Sequence, residues 1–477
     1  MIRAAELDRT SLSMLVGAGV GALAVGVLVA ATSPLVPAAG LLGLLIVGSI
    51  WGRPFLGATL FVIAVATLPF GVIPLPIGGA QLTFVDAILI GTFSTVLARV
   101  AFGGWRVSMG APGVALVAFV VVAIAAFLAG AATSPIPPEL IRRVGKLVIS
   151  LLFFLIGRAL LTSERRLVRL ARWLMCAGAL QGAVGAVLML LSPLSQLTLL
   201  SRLQVIGYPT TDVLRYVPGP NDTYTNQLRA IGTSVDPNVF GGTLMLALAL
   251  IVVQWSAPRP VLPRWVLVLL ALPTAAGVLL SLSRASWLGL AAGLGLIGAL
   301  RYRRILLVGG VVGLAVLATP AGQDVLARFV SGFSTADRAT AFRVGEYANA
   351  LTLVQRYPLL GIGFGLSPDI DVTAGVSSVY LLVAEQTGVL GLSAYVVALL
   401  TTWWTGARGL AGPPDSAETE QLQGVQAAFL AALSAALVAG LLDHYFANQA
   451  FPHAVALFWL YAAALVSASG LARQARG

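Results

Sequence analysis

The sequence predicts an all-α integral membrane protein, a bundle of about 12–14 transmembrane helices with two long external loops carrying short surface helices. Two observations carry that fold class. Of 477 residues 58% are hydrophobic and only 10% charged, with a mean hydropathy of +0.94, where a soluble domain carries about 25% charged residues. The apolar residues also fall in runs of roughly 20, the length a helix needs to cross the hydrocarbon core. The 52 glycines and 25 prolines agree with this, since both are better tolerated in membrane helices than in soluble ones.

Taken in chain order, Arg3 and Arg9 precede an apolar run from Ser11 to Ala31. That run is longer than the core of about 7–15 residues in a cleaved signal peptide, so it is read as a retained first span, near 12–31. Apolar runs and their breakers place further spans near 35–51, 55–73, 82–102, 111–131, 144–162, 170–193, 237–256, 264–282, 285–300, 304–320, 379–403, 424–442 and 450–469. Only Ser283-Arg284-Ala285-Ser286 divides the pair between 264 and 300. No repeat of 20–50 residues is visible and no linker separates soluble units. Residues 1–477 therefore read as one polytopic membrane domain, elaborated by external loops at 201–236 and 321–378.

The net charge of +11 does not indicate nucleic acid, because the basic residues are interspersed with spans instead of gathered on a soluble domain. Their distribution sets orientation. With the N-terminus cytoplasmic, 18 of the 29 basic residues fall inside, in short loops around Arg53, Arg99, Arg165, Arg259, Arg301 and Arg408. This obeys the positive-inside rule and puts both termini in the cytoplasm of a multi-pass inner-membrane protein. The exceptions are Arg142, Arg143, Lys146 (the single lysine), Arg202, Arg215, Arg229, Arg284, Arg328, Arg338, Arg343 and Arg356. Long loops translocate largely regardless of charge, so simple solvation accommodates them; a pocket for an anionic ligand is the alternative. The lone Cys176 permits no internal disulfide, and two histidines, His444 and His453, are too few for a histidine-based zinc site.

Four segments carry chemistry. In Leu228–Gly242, Asp236-Pro237-Asn238 reads as a helix start with Asp as N-cap and Pro at the first position. Such a start presents free N–H groups to an anion, with Arg229 just upstream; capping alone explains Asp-Pro-Asn but not Arg229. In Ser281–Trp287, Arg284 lies among serines between two apolar runs, where a charge usually faces a cavity unless it snorkels to the headgroups. In Ala341–Gly365 a helical, amphipathic stretch ends at Pro358 before Gly361, Gly363 and Gly365. In Ser377–Leu392, Glu385 lies one to two turns inside the next span, with Gly388 and Gly391 suited to close helix packing.

Together these segments resemble, in order and spacing, the O-antigen ligase/polymerase family of bacterial membrane proteins. The resemblance rests on Arg229-x-x-Gly-Thr with Asp236-Pro-Asn, Ser283-Arg-Ala-Ser, Tyr357-Pro-Leu-Leu-Gly-Ile-Gly-Phe-Gly, and Tyr380-Leu-x-x-x-x-Glu-x-x-Gly-x-x-Gly-Leu, with Asp86 as an early acidic residue. It covers roughly residues 80–400. It implies glycosyl transfer from an undecaprenyl-diphosphate-linked glycan to a glycan or lipid acceptor, on the external face of the cytoplasmic membrane, with the bilayer as a further partner. Arg229 and Arg284 are then the candidates for stabilising charge on the leaving diphosphate, since arginine binds phosphate oxygens bidentately and stays charged. Glu385 completes the candidate catalytic set. Arg338, Arg343, Arg356, Asn238 and Tyr380 are candidates for holding substrate. No Asp-x-Asp pair stands out, so neither a divalent metal nor another cofactor is expected.

One departure is plain. Ligases of this family read His-Asn-x-Tyr-Leu, with the histidine as the proposed base; here the positions are Ser377 and Ser378. Serine cannot replace imidazole as a base near neutral pH. Glu385, Asp369, Asp371 and His444 remain as candidates. A polysaccharide or lipid exporter is the rival class, but it predicts charges deep in several spans and short external connections. A family member that has lost catalysis is the third reading.

Overall fold

The computed structural model describes residues 35–73, 82–132, 136–209, 211, 213–218, 224–331, 338–369, 371–408, 410, 412 and 414–475. The expected span at 12–31 lies outside them. The helices are α1 (Leu35–Gly52), α2 (Phe55–Thr67), α3 (Phe84–Phe102), α4 (Gly110–Gly130), α5 (Pro138–Leu160), α6 (Glu164–Met189), α7 (Pro193–Ser201), α8 (Pro237–Ser256), α9 (Arg264–Leu280), α10 (Arg284–Leu300), α11 (Arg303–Leu317), α12 (Pro320–Ser331), α13 (Arg338–Arg356), α14 (Val379–Arg408), α15 (Ala417–Ala439) and α16 (Pro452–Gln474). The fold is all-α in character, with one addition: the 201–236 segment carries an antiparallel hairpin of β1 (Arg215–Pro218) and β2 (Tyr224–Arg229).

Against the expectation of 12–14 spans, seven described helices are long and apolar enough to cross a membrane: α3, α4, α6, α8, α14, α15 and α16. Shorter apolar helices are α2, α9 and α10. The pair α9 and α10, at 17 residues each, would each cover about 26 Å at 1.5 Å per residue, close to a hydrocarbon core of about 30 Å. α2 stops at Thr67 instead of running to 73, because Pro69 biases Leu68 away from helical geometry. α5 begins at Pro138, six residues before the expected 144. Its first turns are polar: Glu139 pairs with Arg142 and Arg143, and Lys146 Nζ lies 2.7 Å from buried Asp86 Oδ2. Asp86 also closes a capping box with Thr83 at the start of α3. Three of the exceptional cations, and the early acidic residue, thereby have structural partners.

Of the central window of α8, α15 and α16, 89% is buried, against 33–50% for α3, α4, α6 and α14. These three helices form the middle of the bundle. Around them α10 packs on α15, α9 on α6 and α8, α5 on α16, and α4 on α14. Several of the described residues expected inside share one end of the molecule. There Arg172 Nε donates to Val261 O, Arg259 pairs with Glu420, Arg301 bonds Gln423, and Arg158 donates to Ser467 Oγ. The opposite end carries the candidate site.

Candidate functional site

Two helix starts meet at that end. At α8, Asp236 Oδ1 accepts from the N–H groups of Asn238 (2.8 Å) and Val239 (3.0 Å), and Pro237 occupies the first position, as the sequence predicts. At α10, Ser283 Oγ accepts from Ser286 N–H (3.4 Å) and Ser286 Oγ–H (3.0 Å). The residue before each cap has a positive φ without being glycine: Val235 at 62° and Leu282 at 51°. Such backbone costs about 1–3 kcal/mol, persists only where its surroundings over-determine it, and gathers at functional sites.

Arg229, at the end of β2, ties the two starts together. Its Nε donates to Ser281 O (2.9 Å) and its Nη2 to Asn238 Oδ1 (2.5 Å). One side chain thus fixes two motifs 43 residues apart in sequence. The second turn of α8 allows the approach because it reads Gly241-Gly242. A Cβ at 241 would lie 2.6 Å from Ser281 Oγ and 2.9 Å from Ser286 Oγ, and a Cβ at 242 would enter the Tyr445 ring. Burial pushes the Arg229 guanidinium down to about 10; Asp236 and Asp443 oppose the fall, and Arg343 and Arg284 add to it. It remains charged at neutral pH. Arg284 and Arg343 thus act on Arg229, and exposed Arg215 is the cross-strand partner of Arg229.

A cavity of about 810 Å³ opens beside them, walled by α13, by residues 373–377 and by the loop between α15 and α16. Ser377 N–H donates to Glu346 Oε2 (3.0 Å). The single hydroxyl proton of Tyr347 is shared between Ser377 O (3.3 Å) and Leu441 O (3.1 Å), and Val379 N–H reaches Gly440 O (2.8 Å) and Asp443 O (3.1 Å). These bonds seat the 440–451 loop against the start of α14. On that loop His444 lines the cavity, and its Nδ1 lies 3.2 Å from Oδ1 of buried Asp443. Burial alone would lower the His444 imidazole, but Asp443, through its hydrogen bond and its charge, then Asp236 and Glu346, outweigh this and raise it above the ordinary histidine value.

The structure brings Arg229, Arg284, Arg343 and Asn238 of the sequence-predicted set to this end. It places the others elsewhere. Glu385 is buried beneath the cavity floor, where Oε1 accepts from Gly375 N–H (2.8 Å). Tyr380 Oη donates to Leu437 O (2.8 Å), inside the helix packing. Arg356 is held by Asp369 (2.9 Å) and Asp371 (3.0 Å), an exposed clasp that occupies two of the candidate bases. The Arg338 side chain lies outside the described residues. Gly388 interrupts α14 with φ 64°; there and at Gly361 (φ 63°) a Cβ would strike the backbone of the facing segment. The glycine-rich turn thus seats itself on the kink, with Ile362 and Gly363 N–H donating to Glu385 O (2.9 Å) and Gln386 O (3.0 Å). Sequence reasoning missed Glu346, Tyr347 and Asp443. For Asp443 the signal was present, a polar Asp-His-Tyr break between two apolar runs. His453, the other histidine, is buried edge-on against Phe70 at 5.0 Å.

Residues 266–396 match a family model described as O-Antigen ligase. No curated protein matches the chain. The matched stretch contains Arg284, Arg343, Glu346 and Ser377, whereas Arg229, Asn238, Asp443 and His444 come to the site from outside it. That stretch is therefore similar to O-antigen ligases, within a mostly helical fold that has seven described helices long and apolar enough to cross a membrane.

Proposed function

We propose that this protein transfers a glycan from an undecaprenyl-diphosphate carrier to a hydroxyl acceptor at the external face of the cytoplasmic membrane. The observation that carries the reading is the junction of two helix starts by Arg229, with Arg284 and Arg343 acting on the same place. Helix N-termini and guanidinium groups both favour anions, and a diphosphate leaving group needs its growing charge met by fixed dipoles and cations. The cavity alongside has room for a sugar acceptor. The opposite end is arginine-rich and short-looped, which supports a cytoplasmic assignment there and an external one for the site.

Deleting the protein and analysing the lipid-linked saccharides that accumulate tests this. Single repeat units would indicate a polymerase, and long carrier-linked chains a ligase. Arg284→Ala should reproduce the accumulation while the protein stays folded in the membrane. Unchanged carrier pools in both strains would overturn the proposal.

A further inference from the structure

The proposed transfer needs a group to take the acceptor proton, and Ser377 supplies none. We propose that His444, aligned by Asp443, is the acid–base group of this site, placed on the same cavity wall as Ser377. The inference rests on the glycosyl-transfer reading above.

Elimination and geometry converge on it. Among residues lining the cavity, Glu346 and His444 are the side chains able to accept a proton near neutral pH. Glu346 is committed to Ser377 N–H, a bond that shapes the wall. Glu385 is buried and does not line the cavity, and Asp369 and Asp371 are paired with Arg356. His444 has the orienting partner that an acid–base imidazole requires. Asp443 is 4% exposed, and its Oδ1 accepts from both the backbone N–H (2.8 Å) and faces Nδ1 (3.2 Å) of His444. That pairing puts the proton on Nδ1 and the lone pair on Nε2. Tyr347 ties Ser377 O to Leu441 O, so position 377 and the His444 loop form one wall although 67 residues separate them. Asp236 and Asp443 act on both Arg229 and His444, which puts imidazole and cations within the field of the same two carboxylates.

The acceptor hydroxyl oxygen attacks the anomeric carbon of the donor, and the carbon–oxygen bond to the carrier diphosphate breaks. The bonding pair leaves with the diphosphate, against Arg229 and Arg284. The acceptor proton passes to His444 Nε2, and the imidazolium releases it to water after the carrier departs. The groups that set the His444 titration are Asp443 on its own loop, Asp236 from the α8 start and Glu346 from α13; all three favour the charged form. Transfer should therefore fall as pH drops through a value above the usual 6.5 or so for histidine.

The test uses the full chain in nanodiscs with a lipid-linked donor and a sugar acceptor. His444→Gln should lower kcat by about 10²–10⁴-fold, the usual range for a lost general base, and abolish the acid limb of the pH profile. Asp443→Asn, which keeps the shape, should move that limb to lower pH. Ser377→His in the His444→Gln background should recover at least tenfold. Transfer by His444→Gln within threefold of wild type, with the acid limb intact, would overturn the inference, as would failure of the Ser377→His recovery. Arg284→Ala separates the two readings: if it abolishes transfer while His444→Gln does not, only the base assignment falls. If neither changes transfer, the glycosyl-transfer reading falls with it.

Discussion

Arg229 is the most exacting test of how this site is built, because its hydrogen bonds and its charge can be separated. Arg229→Ala removes two donated bonds, leaving Ser281 O and Asn238 Oδ1 without that partner. A partly buried acceptor left unpaired costs about 1–3 kcal/mol, so the two together predict a loss of about 2–6 kcal/mol in stability. The same change removes one fixed cation from the proposed diphosphate site, worth about 10²–10³-fold in kcat by analogy with loss of a single oxyanion donor. Arg229→Lys keeps a charge but not the fork. One ammonium at the end of a flexible stem cannot reproduce both bonds, to Ser281 and to Asn238, in one geometry. It should therefore recover part of the activity and less of the stability. Thermal unfolding in detergent, followed by tryptophan fluorescence, reads the first quantity; single-turnover transfer from a lipid-linked donor reads the second. If Arg229→Ala unfolds at the wild-type temperature, the bridge between α8 and α10 contributes nothing. If it unfolds early but transfers at the wild-type rate per folded molecule, Arg229 is a brace and not part of the anion site.

Two further perturbations probe the surroundings. Gly242→Ala drives a methyl into the Tyr445 ring, an overpacking expected to cost about 1–3 kcal/mol. It should also weaken transfer by displacing the loop that carries Asp443 and His444, while Gly295→Ala, where a Cβ meets nothing within 4 Å, should do neither. The Arg356 clasp gives a pH dependence of known sign. Its hydrogen bond to Arg356 holds the Asp371 carboxyl below the ordinary range, so the clasp is present above the unfolded pKa and is lost as pH falls through the lowered folded value. Limited proteolysis of residues 361–378 should therefore stay slow at pH 5, where Arg356→Gln is already cleaved quickly; equal rates for the two would remove the clasp from the account.

Much of the fold was legible because membrane insertion writes itself into one dimension. Every spanning backbone must satisfy its own hydrogen bonds, so runs of roughly 20 apolar residues became helices. The α8 range, 237–256, agrees at both ends because Asp236 and Pro237 mark its start locally. Ser283 divides α9 from α10 for the same reason. Boundaries slipped where pairing stabilises a polar turn, as at the start of α5, where Asp86 of α3 holds Lys146 and Glu139 holds Arg142 and Arg143 within the helix. The hairpin of β1 and β2 was not foreseen, since its strands are short and polar.

The sequence by itself determined that this is a multi-pass helical protein and where the capped helices α8 and α10 begin. Hydropathy, caps and motif spacing are local properties, readable residue by residue. Only the tertiary structure decided which polar groups share a cavity. It separated Arg356, bound to two carboxylates, from Arg343, which acts on Arg229. It also set His444 on the wall with Ser377, joined through Tyr347. That adjacency has no sequence period, because it arises from packing α13, α14 and the α15–α16 loop together at one end of the bundle.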